Sequence, residues 1–242
     1  MSTKSPSADW AASGPYSDVA SLTDLIAEAL PSAQPRTHRL LAETSRLRTT
    51  VAGEIIFWQG EPTPLTLVVK GHTAFRRTSP DGRQMVLGLA TRGDLLGLTS
   101  IAAQRASFDL VSVNGADVAI WAAGGLRRLA ADDPGLAVDV IDGMARDIVE
   151  VTERLDGFVH QDARRRVVRV LARYRDLFFD RPAVLSRAHL PSFVGTSREM
   201  TGRVLRDLER EGMVIRVGRK GLQLLAPARL HEAARSIADE NS

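Results

Sequence analysis

The chain contains no cysteine. That absence excludes disulfides, thiolate zinc sites, cysteine-held iron–sulfur clusters and a cysteine nucleophile, and it fits a reducing compartment. Long hydrophobic runs are missing too: no apolar stretch approaches the roughly 20 residues that span a bilayer. The N-terminal stretch "MSTKSPSADWAASGPYSD" lacks the basic-then-apolar order of a signal peptide. Its Ser, Ala, Pro and Gly content predicts a disordered tail over 1–20. Catalytic signatures are equally absent, with no P-loop, no G-x-G-x-x-G, no H-E-x-x-H and no Ser-His-Asp arrangement. Asp132-Asp133 reads as a helix terminus rather than a pair of catalytic carboxylates. His72 and His160 lie in no haem-binding motif. These absences predict a cytoplasmic protein that is not an enzyme, with no cofactor, no metal and no membrane contact.

What is present is uneven charge. The net charge is only +3. Residues 163–227, however, hold fifteen Arg and Lys against six Asp and Glu, a local +9 that leaves the rest at −6. A basic segment on an acidic body calls for a polyanionic partner.

The hydrophobic pattern changes twice along the chain. Residues 21–30 predict a short helix capped by Ser21, and 37–44 a second. From Gly53, short β-branched runs ("GEIIFWQGE", "LTLVVKGHTAFRR", "MVLGLA", "LVSV", "VAIW") alternate with turn signals, among them Lys70-Gly71 and Asn114-Gly115. This rhythm predicts an antiparallel sandwich, barrel or roll. After Trp121 the pattern becomes helical. Ala137, Ile141, Met144, Ile148, Val151, Leu155 and Phe158 recur at spacings of 4 and 3, a heptad seam that predicts a homodimer through residues 137–158. Residues 163–180 predict one further helix.

The stretch "SRAHLPSFVGTSREMTGRVLRDLEREG" carries the function. It predicts a short helix capped by Ser186, a turn at Gly195, and a second helix capped by Thr196 with Glu199 completing a capping box. Helix, short Gly-containing turn, helix is the spacing of a helix-turn-helix. Met200, Val204, Leu205 and Leu208 form the expected buried stripe of the second helix. Arg198, Glu199, Gly202, Arg203 and Arg206 fall opposite. Arg can fork to guanine and Glu can accept from cytosine, and Gly202 leaves room for the duplex. "MVIRVGRKGLQLLAP" predicts a hairpin whose tip, with Arg219 and Lys220, is a basic wing suited to phosphates. The alternative from another class is a ligand-sensing module acting through protein contacts.

The run "VGTSREMTGRVLRDLEREGMV" with its hairpin resembles the winged helix of the Crp/Fnr family of bacterial transcription regulators, and the S-R-E-x-x-G-R order at 197–203 resembles the cAMP receptor protein branch. The resemblance covers roughly 36–227. It implies an α+β fold: an N-terminal cyclic-nucleotide-binding-type β-roll (21–135), a long dimerisation helix and hinge (136–162, with Asp162 near the hinge), a C-terminal winged helix-turn-helix (163–227) and a tail (228–242). It further implies that Arg198, Glu199 and Arg203 contact a TGTGA-like half-site, that Ser186, Arg187 and Ser197 sit near phosphates, and that RNA polymerase and a small-molecule effector are partners. The effector site departs from the family pattern. By position it comprises Gly97, Leu98, Arg105, Ala106, Ser107, Val151 and Thr152. Leu98 stands where cyclic-nucleotide binders place a ribose-holding Glu, and Ala106 where they place a phosphate-holding Arg. The expectation is an effector other than cAMP held in the usual way; the alternative is a cyclic-nucleotide-responsive regulator whose cassette is shifted so that Arg105 serves.

Overall fold

A computed structural model describes residues 19–239 except residue 103; the predicted tail over 1–20 falls almost wholly outside them. Two helices open the chain, α1 (Val19–Ala29) and α2 (Pro35–Thr44). Six strands follow: β1 (Arg46–Thr50), β2 (Ile55–Phe57), β3 (Leu65–Thr78), β4 (Gln84–Thr91), β5 (Leu95–Leu96) and β6 (Asp109–Trp121). All pair antiparallel in the order β1-β6-β3-β4, with β2 also on β6 and β5 on β3.

The turn signals at Lys70-Gly71 and Asn114-Gly115 do not end strands. β3 and β6 run straight through them as 14- and 13-residue strands whose register shifts between Val68 and Lys70 and between Gly71 and Thr73. Gly71 has φ +81°, and a Cβ there would stand 2.1 Å from the Gly115 carbonyl oxygen. Such bulges bend long strands so that a sheet can coil into a roll. β1 is a further strand that its mixed composition did not announce.

Helices α3 (Gly125–Asp132) and α4 (Pro134–His160) come next. Asp133 explains where α4 starts and how it is held. Its Oδ1 accepts from Gly135 and Leu136 N–H, and its Oδ2 accepts from Gln34 N–H and the Thr37 hydroxyl. Burial pushes this carboxyl up, yet the hydrogen bonds from Thr37, Gln34, Leu136 and Gly135 outweigh burial and hold it below its ordinary value. Nearly two turns on, buried Asp139 accepts from Ser32 and Ala33 N–H. The start of α4 is thereby tied to the α1–α2 turn, and Leu136 and Val140 pack into a core with Leu25, Leu67 and Trp121.

The chain continues through α5 (Ala163–Arg173), α6 (Arg175–Phe179), α7 (Leu190–Val194), α8 (Arg198–Arg210), β7 (Val214–Val217), β8 (Gly221–Leu224) and α9 (Pro227–Asp239). The single helix predicted over 163–180 breaks at Tyr174. The tail predicted over 228–242 is a correction as well: up to Asp239 it is helical. Leu230 and Ile237, seven residues apart on one helix face, are 1% and 7% exposed in the second core beside Val167, Leu171 and Leu208. Burying each such aliphatic side chain contributes roughly 1.5–3 kcal/mol, which is why the segment docks.

Candidate nucleic-acid interface

Helix α8 is anchored from one side and bare on the other. Thr201, Val204, Leu205 and Leu208 form its buried stripe. Met200, predicted in that stripe, is 37% exposed; Thr201 takes its place, with its hydroxyl donating to the Ser197 carbonyl at 3.0 Å. The cap also differs from the expectation. Ser197, not Thr196, accepts from Met200 N–H at 3.1 Å, so the helix opens one residue later. Freed from the capping box, Glu199 is left on the surface and pairs with Arg203 one turn along at 3.6 Å. Its side chain is 84% exposed and that of Arg203 60%. Arg198 is exposed beside them. A Cβ at Gly202 would meet only the Arg206 guanidinium, at 3.8 Å, so no internal packing requires a glycine there.

The elements before and after α8 are locked to it. Gly195 closes α7 at φ +65°, the left-handed conformation that glycine adopts without a steric penalty. Phe193 on α7 stacks edge-on with Tyr174 at 5.4 Å and with Phe178 at 6.4 Å. The wing pairs Val214–Val217 with Gly221–Leu224, and its tip exposes Arg219 and Lys220.

Ser186 does not cap α7. It heads the turn before it, accepting from His189 N–H and placing its own N–H 2.9 Å from His189 Nδ1. Burial pushes the imidazole of His189 below its ordinary pKa, and an Nδ1 that accepts a hydrogen bond belongs to a neutral ring. Sequence reasoning missed His189; only its position ahead of Leu190-Pro191 could have suggested a role. Arg187 grips the wing, its guanidinium donating to the Arg219 carbonyl at 2.6 Å and its N–H to the Lys220 carbonyl at 3.0 Å. Ser186, Arg187, Ser197, Arg219 and Lys220 thus belong to one connected unit around the recognition helix.

The effector-pocket residues are not gathered in this way. Leu98 is 5% exposed, in a 3-10 turn packed so tightly on α4 that a Cβ at Gly143 would lie 2.4 Å from it. Gly97 precedes it at a turn. Ala106 is buried in a separate cluster with Phe57 and Leu110. Arg105 is exposed and donates to the Gly60 carbonyl at 2.7 Å, and Ser107 is exposed. On α4, Val151 is 54% exposed and the Thr152 hydroxyl is spent on the Ile148 carbonyl. None of the seven lines the cavity of about 340 Å³ that opens between the β-roll and the C-terminal unit.

The predicted seam of α4 divides. Met144 packs on the chain's own core and Ala137 is half-buried. Ile141, Ile148, Val151 and Leu155 are 65%, 66%, 54% and 59% exposed. The side chain of Phe158 lies outside the described residues.

A recognition helix with a bare basic N-terminal half, a buttressed wing and an antiparallel β-roll ahead of a long helix define a two-domain DNA-binding regulator. Comparison with known proteins agrees. Residues 47–133 match the cyclic nucleotide-binding domain and residues 165–233 the Crp-like helix-turn-helix domain. The chain belongs to the Crp/Fnr family of transcription regulators, which is not a class of enzymes. It is 27% identical to the cAMP-activated global transcriptional regulator Vfr of Pseudomonas aeruginosa, over 73% of this chain and 87% of Vfr. It is 24% identical to the nitrogen fixation regulation protein FixK of Bradyrhizobium diazoefficiens, over 90% and 93%. Among solved structures, the c-di-GMP-responsive regulator CLP of Xanthomonas campestris shares the fold with a TM-score of 0.67 at 24% identity, covering 80% of this chain and all of CLP. Among the described residues no helix is long and apolar enough to cross a membrane.

Proposed function

We propose that the chain binds a two-fold, TGTGA-like DNA site as a homodimer and regulates transcription there. Arg198, Glu199 and Arg203 read base edges; Ser186, Arg187, Ser197, Arg219 and Lys220 meet phosphates. The observation that carries this reading is the face of α8. Its first turns present three ionised side chains to solvent while the opposite stripe is fixed in the core, and a recognition helix enters the major groove by those turns. The dimer reading is supported by four large aliphatic residues of α4 left more than half exposed at heptad spacing. Two such helices would cover one another's stripes and set the recognition helices on a two-fold axis. The protein works in the cytoplasm with RNA polymerase and a small-molecule effector as partners. Leu98 and Ala106, apolar and buried, favour an effector other than cAMP held in the usual way.

Selection of bound duplexes from a random pool, with and without small molecules extracted from cells, tests this. Inverted repeats with half-sites about one helical turn apart are expected. A pool that stays unenriched under both conditions contradicts the base-reading assignment.

A further inference from the structure

The interdomain cavity shares no residue with the β-roll cassette or with the recognition face. Its walls come from both units: Val86 and Leu87 of β4, Arg154 and Gln161 at the end of α4, Arg169 and Arg173 of α5, and Phe193 of α7. At about 340 Å³ it falls in the size range of small-molecule sites.

Its chemistry is one-sided. Arg154, Arg166, Arg169 and Arg173 all line it. Glu150 pairs with both Arg154 and Arg173, so one carboxylate serves two guanidinium groups. Arg166 donates to the carbonyls of Val194 and Gln161. Half-buried Arg169 has no hydrogen-bond or ion-pair partner among the described residues. A second, independent feature is Gln161. It is 4% exposed, and among the described residues neither its Nε2 nor its Oε1 has a partner. A buried amide without hydrogen bonds is costly, and this one sits in the cavity wall. The Tyr174–Phe193 pair, with Arg173 over the Tyr174 ring at 5.7 Å, supplies a flat apolar surface next to the charge.

We propose that this cavity binds a small anionic molecule, a phosphate monoester or a carboxylic acid with a flat apolar body. Arg169 takes the anion, Gln161 hydrogen-bonds beside it, and the body lies against Phe193, Val86 and Leu87. Arg154 and Gln161 stand roughly a third of a turn around α4 from the Ile148–Leu155 stripe, so pairing of α4 helices leaves the cavity open. A ligand there touches β4 and the helix-turn-helix at once, and its occupancy biases how the two units sit against each other.

The test uses the full chain without DNA, so its outcome is independent of the DNA-binding reading. Calorimetry compares 1-naphthyl phosphate with inorganic phosphate (charge alone) and 1-naphthol (body alone). Saturable binding of one naphthyl phosphate per chain is expected, at least about tenfold tighter than either part. Arg169→Gln weakens it at least about tenfold with an unchanged thermal unfolding midpoint, and Ala172→Phe, which fills the cavity, does the same if Arg169→Gln fails to fold. Arg105→Ala leaves it intact. Naphthyl phosphate binding no tighter than phosphate, unaffected by both cavity variants, or abolished by Arg105→Ala overturns the proposal.

Discussion

The recognition helix and the β-roll cassette treat charge in opposite ways. On α8, Arg198, Glu199 and Arg203 stand in water with little but each other for company, on a helix whose far side is rigidly packed. In the β-roll, Leu98 and Ala106 are buried among apolar neighbours, and the nearby Arg105 turns outward to a backbone carbonyl. A surface that meets a polyanion keeps its charges solvated until the partner arrives. A pocket that encloses an anion must hold its charge buried beforehand, and that requires paired or hydrogen-bonded groups. The first condition is met on α8 and the second is not met at Leu98 and Ala106. In the wall of the interdomain cavity, by contrast, Arg154 and Arg173 share Glu150 and Arg166 donates to two backbone carbonyls, so charge is held there in advance beside Arg169, unpaired among the described residues.

The comparison breaks most visibly through the dimer. Ile148→Asp would set two carboxylates against each other in the seam without partners. Sedimentation should show a monomer, with specific DNA binding no longer detectable; a dimer that persists removes the seam from the account.

Next in size is the cassette itself. Losing a buried Arg–phosphate contact costs about 2–5 kcal/mol, on the order of 30- to 5,000-fold in affinity. Calorimetric titration with cAMP should therefore give no micromolar binding. A micromolar constant abolished by Arg105→Ala would instead identify Arg105 as the phosphate ligand.

Arg203→Ala and Arg219→Ala separate base reading from phosphate contact on the DNA-binding side. The first should cost about 1–3 kcal/mol per half-site and relax the preference at one guanine. The second should weaken all duplexes alike and reduce the salt slope by about one per contact. Identical behaviour of the two variants would mean that Arg203 reads no base.

The smallest effect concerns His189. Burial lowers its folded pKa, so its contribution to stability is present above its unfolded pKa, ordinarily 6.5, and is lost as pH falls through 6.5 toward the folded value. Thermal unfolding of the wild type should weaken across that window more than that of His189→Gln. Parallel pH profiles would show that the Ser186–His189 contact plays no part.

Much of this was legible because the DNA-binding unit is built from local signals. Ser197, Gly195, the α8 stripe and the basic hairpin tip each act within a few residues, and misplacing the cap or the Met200 phase by one residue left the exposed face unchanged. The roll was harder. Gly71 and Gly115 look like turn residues, yet across the sheet they are bulges packed on one another, a relation between positions 44 residues apart. The docking of α9 rests on Leu230 and Ile237 meeting a core assembled from four other helices and the wing. The interdomain cavity was not legible at all. Nothing in the sequence joins Arg154, Gln161 and Arg169 to Val86 and Leu87, far upstream; only the fold brings them together from β4.

The central claim is specific reading of a two-fold site by the exposed face of α8. Fluorescence anisotropy of the full chain, at one stated salt concentration, on a duplex carrying two inverted TGTGA half-sites and on a scrambled duplex of equal length tests it most directly. A preference on the order of 10³ or more for the two-fold site is predicted, falling when either half-site is scrambled. Equal affinity for the two duplexes would contradict it.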